Sequence, residues 1–201
     1  MPPPRWIEPQ LSKLVAKAPS GPRWVHEIKF DGYRMAARIE HGKVQLLTRT
    51  GLNWTTKYPA IAAALAKLRV KTAYIDGELC GVRPDGVTSF SIMQQAADRG
   101  GAGLVYFAFD LLELDGEDVA KLPLPERKAR LAAFLKNATD CIAYSEHEGD
   151  DGEAFRRAAC KRGLEGIVSK RTDRPYLPGQ SGCVGQEQVL QPRRIRDRWM
   201  V

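Results

Sequence analysis

The chain has 201 residues, 43% of them hydrophobic and 27% charged, enough for one well-buried domain and too few for two full-sized ones. No apolar run approaches the length of a membrane span, and the opening MPPPRWIEPQ lacks the basic stretch and apolar core of a secretory signal, so a cytoplasmic protein without a membrane partner is expected. The formal net charge of +7 points toward a polyanionic partner, because lysine and arginine gain affinity for phosphates by releasing counterions.

Along the chain, strand-like runs at 24–29, 33–39 and 44–47 are followed by an alanine- and leucine-rich helix, YPAIAAALAKL, at 58–68. A short strand at 73–75 precedes the helix SFSIMQQAADR, with Ser89 as its cap, and a strand at 105–112 precedes PERKARLAAFLKN, with Pro125 in the first turn. After a strand at 142–144, DDGEAFRRAACKRG begins acidic, ends basic and is followed by Gly163, in agreement with the helix dipole and a glycine stop; a strand at 166–170 follows. No repeat appears. Cys80, Cys141, Cys160 and Cys183 show neither zinc-ligand spacing nor a disulfide framework and read as reduced packing residues. The order predicts an α+β fold with mostly antiparallel sheets flanked by helices.

The segment HEIKFDGYR puts Lys29 at the end of an alternating strand, just before an Asp-Gly turn that exposes it. Glu27 and Lys29 share one face by the two-residue period, while Ile28 and Phe30 face the other way, toward a core. A lone K-x-D-G reads better as a hairpin with an exposed charge at its tip. Further along, Asp76-Gly77-Glu78-Leu79, Phe107-Ala108-Phe109-Asp110 and Glu165-Gly166-Ile167-Val168-Ser169-Lys170 each set acids, lysines or aromatics among apolar strand residues. Singly, Glu78 reads as solvated, Phe109 as core and Lys170 as a surface charge. Their order and spacing carry the signal.

These four segments resemble the K-x-D-G, D-G-E, F-D and E-G-[IV]-x-x-K motifs of the covalent nucleotidyltransferases, and most closely the ATP-dependent DNA ligases of the bacterial ligase D type. The resemblance runs from Trp6 to Ser181 and includes EPQL, RTG at 49–51 and YLPGQSG. It implies an adenylation domain over 1–181, with ATP in a groove between antiparallel sheets and no OB-fold domain. It also implies that Lys29 attacks the α-phosphorus of ATP, an attack that requires the neutral amine. By the same analogy Glu27 lies beside adenine and Phe109 stacks on it. Arg34 and Arg49 contact ribose or phosphate, and Lys170 neutralises the α-phosphate. Glu165 and Glu78 hold Mg²⁺ or Mn²⁺, Glu78 alternatively the ribose. The expected partners are nicked double-stranded DNA and end-joining or repair proteins, with a monomeric chain that is nucleoid-associated when on DNA. An RNA ligase or capping-type enzyme and a catalytically inert DNA-binding remnant are the competing readings.

The resemblance calls next for a strand carrying lysine-x-lysine, and the sequence instead reads CVGQEQVLQPRRIRDRWMV, with no strand alternation. An aberrant, disordered tail over 182–201 is expected. The codons of Gln186-Glu187-Gln188, read one base forward, force Lys/Arg-x-Lys/Arg, so a one-base frameshift in an ordinary ligase gene is the expected origin, with a genuinely divergent or disordered tail as the alternative. Impaired ligation follows, and genomic DNA without that shifted open frame would refute the origin.

Overall fold

The computed structural model describes residues 2–97, 103–139, 141–179 and 186–190, with backbone alone at 97 and 186–190. In chain order, β1 (Lys13–Leu14) and β2 (Ser20–Ile28) are followed by β3 (Tyr33–Glu40), β4 (Lys43–Thr48), α1 (Pro59–Leu65), β5 (Thr72–Val82), β6 (Thr88–Ser89) and α2 (Phe90–Ala97). Then come β7 (Leu104–Leu114), β8 (Glu117–Asp118), α3 (Leu124–Leu135), β9 (Ile142–Tyr144), β10 (His147–Asp151), α4 (Gly152–Lys161), β11 (Gly166–Arg171) and β12 (Gln186–Leu190). They form two sheets. The smaller has the order β1-β12-β11-β2-β10; the larger runs β4-β3-β5-β7-β8, with β6 on β5 and β9 on β7. Pairing is antiparallel except at β1–β12 and β7–β9.

The two-residue period divides the large sheet into a dry face and a charged one. Met35, Ala37 and Ile39 of β3, Ile75 and Leu79 of β5, and Tyr106 and Leu111 of β7 enter one core with Ile61, Leu65, Met93 and Leu131 from the first three helices. Arg34 and Arg38, Asp76 and Glu78 take the alternate positions. The small sheet rests on α4 through a much smaller cluster of Ala18, Ala159 and Ile167, with Ile28, Phe155 and Leu164 packed against it.

The expected elements appear, several of them longer. β5 continues far past 73–75 because its later polar residues alternate toward the groove while Leu79 and Cys80 stay buried. α4 is capped as its sequence suggests: the Asp151 carboxylate accepts from Ala154 N–H at 2.9 Å, and Gly163 leaves the helix at a φ of +72°. At α2 the arrangement differs from a simple serine cap. The Ser89 hydroxyl meets that of Ser91 at 2.9 Å, and the first helical N–H, of Phe90, donates to the Asp31 carboxylate at 3.3 Å. The last part of that helix candidate lies outside the described residues, as does Cys183.

One departure concerns the tail. No alternation marks 186–190, yet β12 runs antiparallel to β11 there, with Gln186 opposite Lys170 and Gln188 opposite Val168. An edge strand needs only main-chain N–H and C=O groups to bind the next, so pairing does not require a side-chain pattern. The expectation of a tail without regular structure is therefore revised at these five positions, and 182–185 and 191–201 lie outside the described residues. Among the described residues no helix is long and apolar enough to cross a membrane.

Candidate active site

Between the two sheets lies a groove of about 340 Å³ lined by Glu27, Lys29, Arg34, Arg49, Glu78, Phe109 and Lys170. All seven come from the sequence reading. Lys29 follows directly after β2, and its N–H donates to the Gly166 carbonyl at 3.0 Å, so the last rung of the β2–β11 ladder fixes its main chain. Its Nζ, about a quarter exposed, donates to Glu165 Oε2 at 2.8 Å. The turn after it is pressed onto β5: a Cβ on Gly32 would sit 2.2 Å from the Leu79 carbonyl oxygen, so no other residue fits without moving the loop that aims Lys29.

The large sheet supplies the opposite wall. Arg34, Glu78 and Phe107 lie side by side on β3, β5 and β7. The β5–β7 ladder slips between Asp76↔Asp110 and Gly77↔Ala108, leaving Phe109 as the extra residue of a bulge, a device that re-aims a side chain. The Phe109 ring has the Lys170 ammonium 4.7 Å and the Arg34 guanidinium 5.2 Å from its centroid, so it bridges the two walls. Phe30 stacks on Phe107 with centroids 4.2 Å apart and lines the groove; the expectation that it enters a core is corrected, while Ile28 packs on the α4 cluster. Arg49 is exposed on the turn after β4, whose Gly51 lies against the Trp6 ring.

Arg34 is less free than its expected role suggests. Its Nε and Nη2 donate to the two Asp76 oxygens at 3.1 and 2.6 Å, Nη1 to the Gln10 carbonyl at 2.7 Å, and Nη2 again to Tyr176 Oη at 3.4 Å. A guanidinium has five N–H groups, so one remains for a ligand. Burial opposes its charge, and the Asp76 carboxylate outweighs burial, raising its proton affinity further. Glu78 shows the reverse balance: burial pushes its carboxyl up to about 7, with Arg34 and Lys29 pulling it back and Asp76 and Glu165 adding to the rise. Asp110, the acid of the F-D segment, does not face the groove. It is fully buried and holds Arg127 of α3 at 2.7 and 2.9 Å.

Glu27 is 2% exposed, and its carboxylate turns toward α3. One oxygen accepts from Lys128 Nζ at 2.9 Å, the other from Lys170 Nζ at 3.0 Å and Ser145 Oγ at 3.1 Å. Sequence reasoning missed Lys128, Arg127, Asp76 and Tyr176. A signal existed for two of them: Arg127 and Lys128 lie near the start of α3, the positive end of the helix dipole, where cations are unfavourable unless a carboxylate waits for them.

No group of three or more His, Cys, Asp or Glu that could hold a metal occurs among the described residues. Glu165, paired with the Lys29 amine, and Glu78, whose carboxyl feels the charges of both, offer two carboxylates. Hard oxygen donors of that number fit a small divalent cation that takes its other ligands from water and a nucleotide phosphate.

Residues 8–183 match the family described as ATP dependent DNA ligase domain. The chain is 41% identical over 182 residues to the multifunctional non-homologous end joining protein LigD of Pseudomonas aeruginosa, covering 90% of this chain and 22% of that protein. To the LigD of Mycobacterium tuberculosis it is 38% identical over 161 residues, covering 79% of this chain and 20% of that one. Among solved structures it is similar to a mycobacterial DNA ligase D complexed with ATP and MES, with a TM-score of 0.77, 32% identity, and coverage of 92% of this chain and 60% of that chain. The chain thus spans about a fifth of these curated relatives. The α+β adenylation fold, with its two sheets flanked by helices, is the one these structures share.

Proposed function

The chain belongs to the ATP-dependent DNA ligase family, and on that premise we propose that it is an adenylating enzyme in which Lys29 attacks the α-phosphorus of ATP. The Nζ–P bond forms as the bond to pyrophosphate breaks, leaving AMP on Lys29 as a phosphoramidate. The amine must shed a proton first, and Glu165, at 2.8 Å, is the nearest acceptor. AMP then passes to the 5′-phosphate of a DNA nick, and the adjoining 3′-hydroxyl attacks that phosphate and releases AMP. The observation that carries this reading is the partly exposed Lys29 ammonium, held by one carboxylate in a groove that also presents Phe109, Arg34 and Lys170.

The remaining residues divide the work between shape and charge. Phe109 stacks on adenine, and Glu27 flanks that base through its main chain, its carboxylate being engaged elsewhere. Lys170 and the remaining Arg34 donor meet phosphate or ribose, with Arg49 at the rim for phosphate. Glu78 and Glu165 would hold Mg²⁺ or Mn²⁺, which when bound supplies neutralisation of phosphate charge. We assign 1–190 to the adenylation domain, past the expected end at 181, because β12 pairs within its small sheet. β12 carries Gln186, Glu187 and Gln188 where the resemblance calls for lysine-x-lysine, so nick sealing is expected to be weaker than self-adenylation. The substrate is nicked double-stranded DNA, the setting bacterial end joining or repair, the compartment the cytoplasm.

Incubation with α-labelled ATP and Mg²⁺, then denaturing separation, tests the proposal. Covalent label on wild type and none on Lys29→Ala is expected; label from GTP in place of ATP would favour a capping-type enzyme, and no label on either chain would refute adenylation.

A further inference from the structure

The groove's charge depends on a residue outside its lining. Lys128 of α3 is 1% exposed, and it reaches through to the small sheet, donating to Glu27 Oε1 at 2.9 Å and to the Ser145 carbonyl at 2.6 Å, with the Tyr144 ring 4.5 Å away. Glu27 is shared between it and Lys170. Burial depresses the proton affinity of Lys128, and the Glu27 carboxylate partly restores it. A Glu27–Lys170 pair alone would be neutral and already satisfied by Ser145. Adding a second buried cation leaves the cluster one positive charge in excess, and the next carboxylate, Asp110, is occupied by Arg127.

An excess buried charge is penalised by lost hydration unless something offsets it. Lys170 is the cation of the cluster that lines the groove, beside Phe109. We propose that Lys128 is a positioning residue for nucleotide binding: by sharing Glu27 from behind, it leaves the Lys170 charge only partly offset, to be compensated by a nucleotide phosphate. Remove the Lys128 cation, and the Glu27 carboxylate claims Lys170 for itself.

The inference rests on the adenylation reading only for which ligand fills the groove, so its test measures binding apart from transfer. ATP dissociation constants are determined for wild type, Lys128→Met, Lys170→Met, Glu27→Gln and the Glu27→Gln/Lys128→Met double variant, with α-label transfer run in parallel. Losing one charge-assisted contact predicts a Kd about tenfold weaker in Lys128→Met. In the Glu27→Gln background, where no carboxylate competes for Lys170, the same substitution changes Kd by less than about twofold. Unchanged Kd in a natively melting Lys128→Met, or an equal penalty in both backgrounds, overturns the inference, because a merely structural lysine does not care about the Glu27 charge. If Lys128→Met does not melt cooperatively, Lys128→Arg replaces it: a Kd within about threefold of wild type supports the charge argument, and one as weak as that of Lys170→Met overturns it. Wild type that binds ATP but takes no label refutes adenylation alone; wild type that binds no nucleotide refutes both.

Discussion

The strands behind Arg34, Glu78 and Phe109 rest on a continuous apolar cluster that includes Met35, Ile75, Leu79, Tyr106 and Leu131, whereas β2 and β11, which flank Lys29, Glu165 and Lys170, rest on Ala18, Ala159 and Ile167 with partly buried neighbours. Full burial of a leucine or isoleucine contributes about 1.5–3 kcal/mol, and alanine far less, so the two walls of the groove are unequally anchored. Polar links make up part of the difference on the weaker side: Glu27 with its two lysines, and His26 Nδ1 with Ser169 Oγ at 2.9 Å. The wall that carries Phe109 is the more firmly anchored. The wall that carries Lys29 has groups able to exchange partners, as the proposed adenylation requires of them.

The sharpest separation of the two comes from Lys29→Ala. It should abolish AMP-lysine formation, a loss of at least about a thousandfold in labelling rate, while thermal melting moves by less than about 1 kcal/mol, since the lost ion pair is partly exposed. Leu79→Ala should do the opposite: a stability loss of about 2–5 kcal/mol by denaturant titration, from a cavity under the large sheet, with labelling retained where the protein stays folded. If Leu79→Ala silenced the site in the folded protein, the two walls would not be separable.

Phe109→Ala probes the bridge between them. Loss of a stacking platform should raise the ATP KM about tenfold with the maximal labelling rate little changed, measured by single-turnover labelling across ATP concentrations. The smallest effect concerns His26, fully buried in the small sheet, whose pKa burial lowers from 6.5 against the pull of Asp151 and Asp150. Its folded form binds protons less readily than the unfolded chain. The neutral ring's contribution is therefore complete above about pH 6.5 and is lost as pH falls from there toward the folded value. Denaturant midpoints at pH 7.5 and 5.5 should differ less in His26→Gln than in wild type; an unchanged difference would remove His26 from the account. His147, shifted the same way by burial and Lys128, keeps part of the slope.

Sequence made the reactive end of the site legible because Lys29, Glu78, Phe109 and Glu165 lie in short motifs whose spacing is local. Partners were illegible where they came from elsewhere in the chain. Nothing near Arg34 announces Asp76 or Tyr176, and nothing near Glu27 announces Lys128. The Phe109 bulge is a property of two strands in register, so β7 alone could not disclose it. Of the strands, β10 escaped because HEGDD is an exposed edge without alternation, and β12 because QEQVL carries no two-residue period.

The position of β12 also sets an order of assembly. It lies between β11 and β1, so among the described residues β1, near the start of the sequence, joins its sheet through residues near 187. The large sheet begins with the neighbouring hairpin of β3 and β4 and adds β5 soon after, at little loop-closure cost. On a ribosome the wall that carries Phe109 can be complete while the one that carries Lys29 still waits for β12, so the proposed attack by Lys29 is expected only late in synthesis.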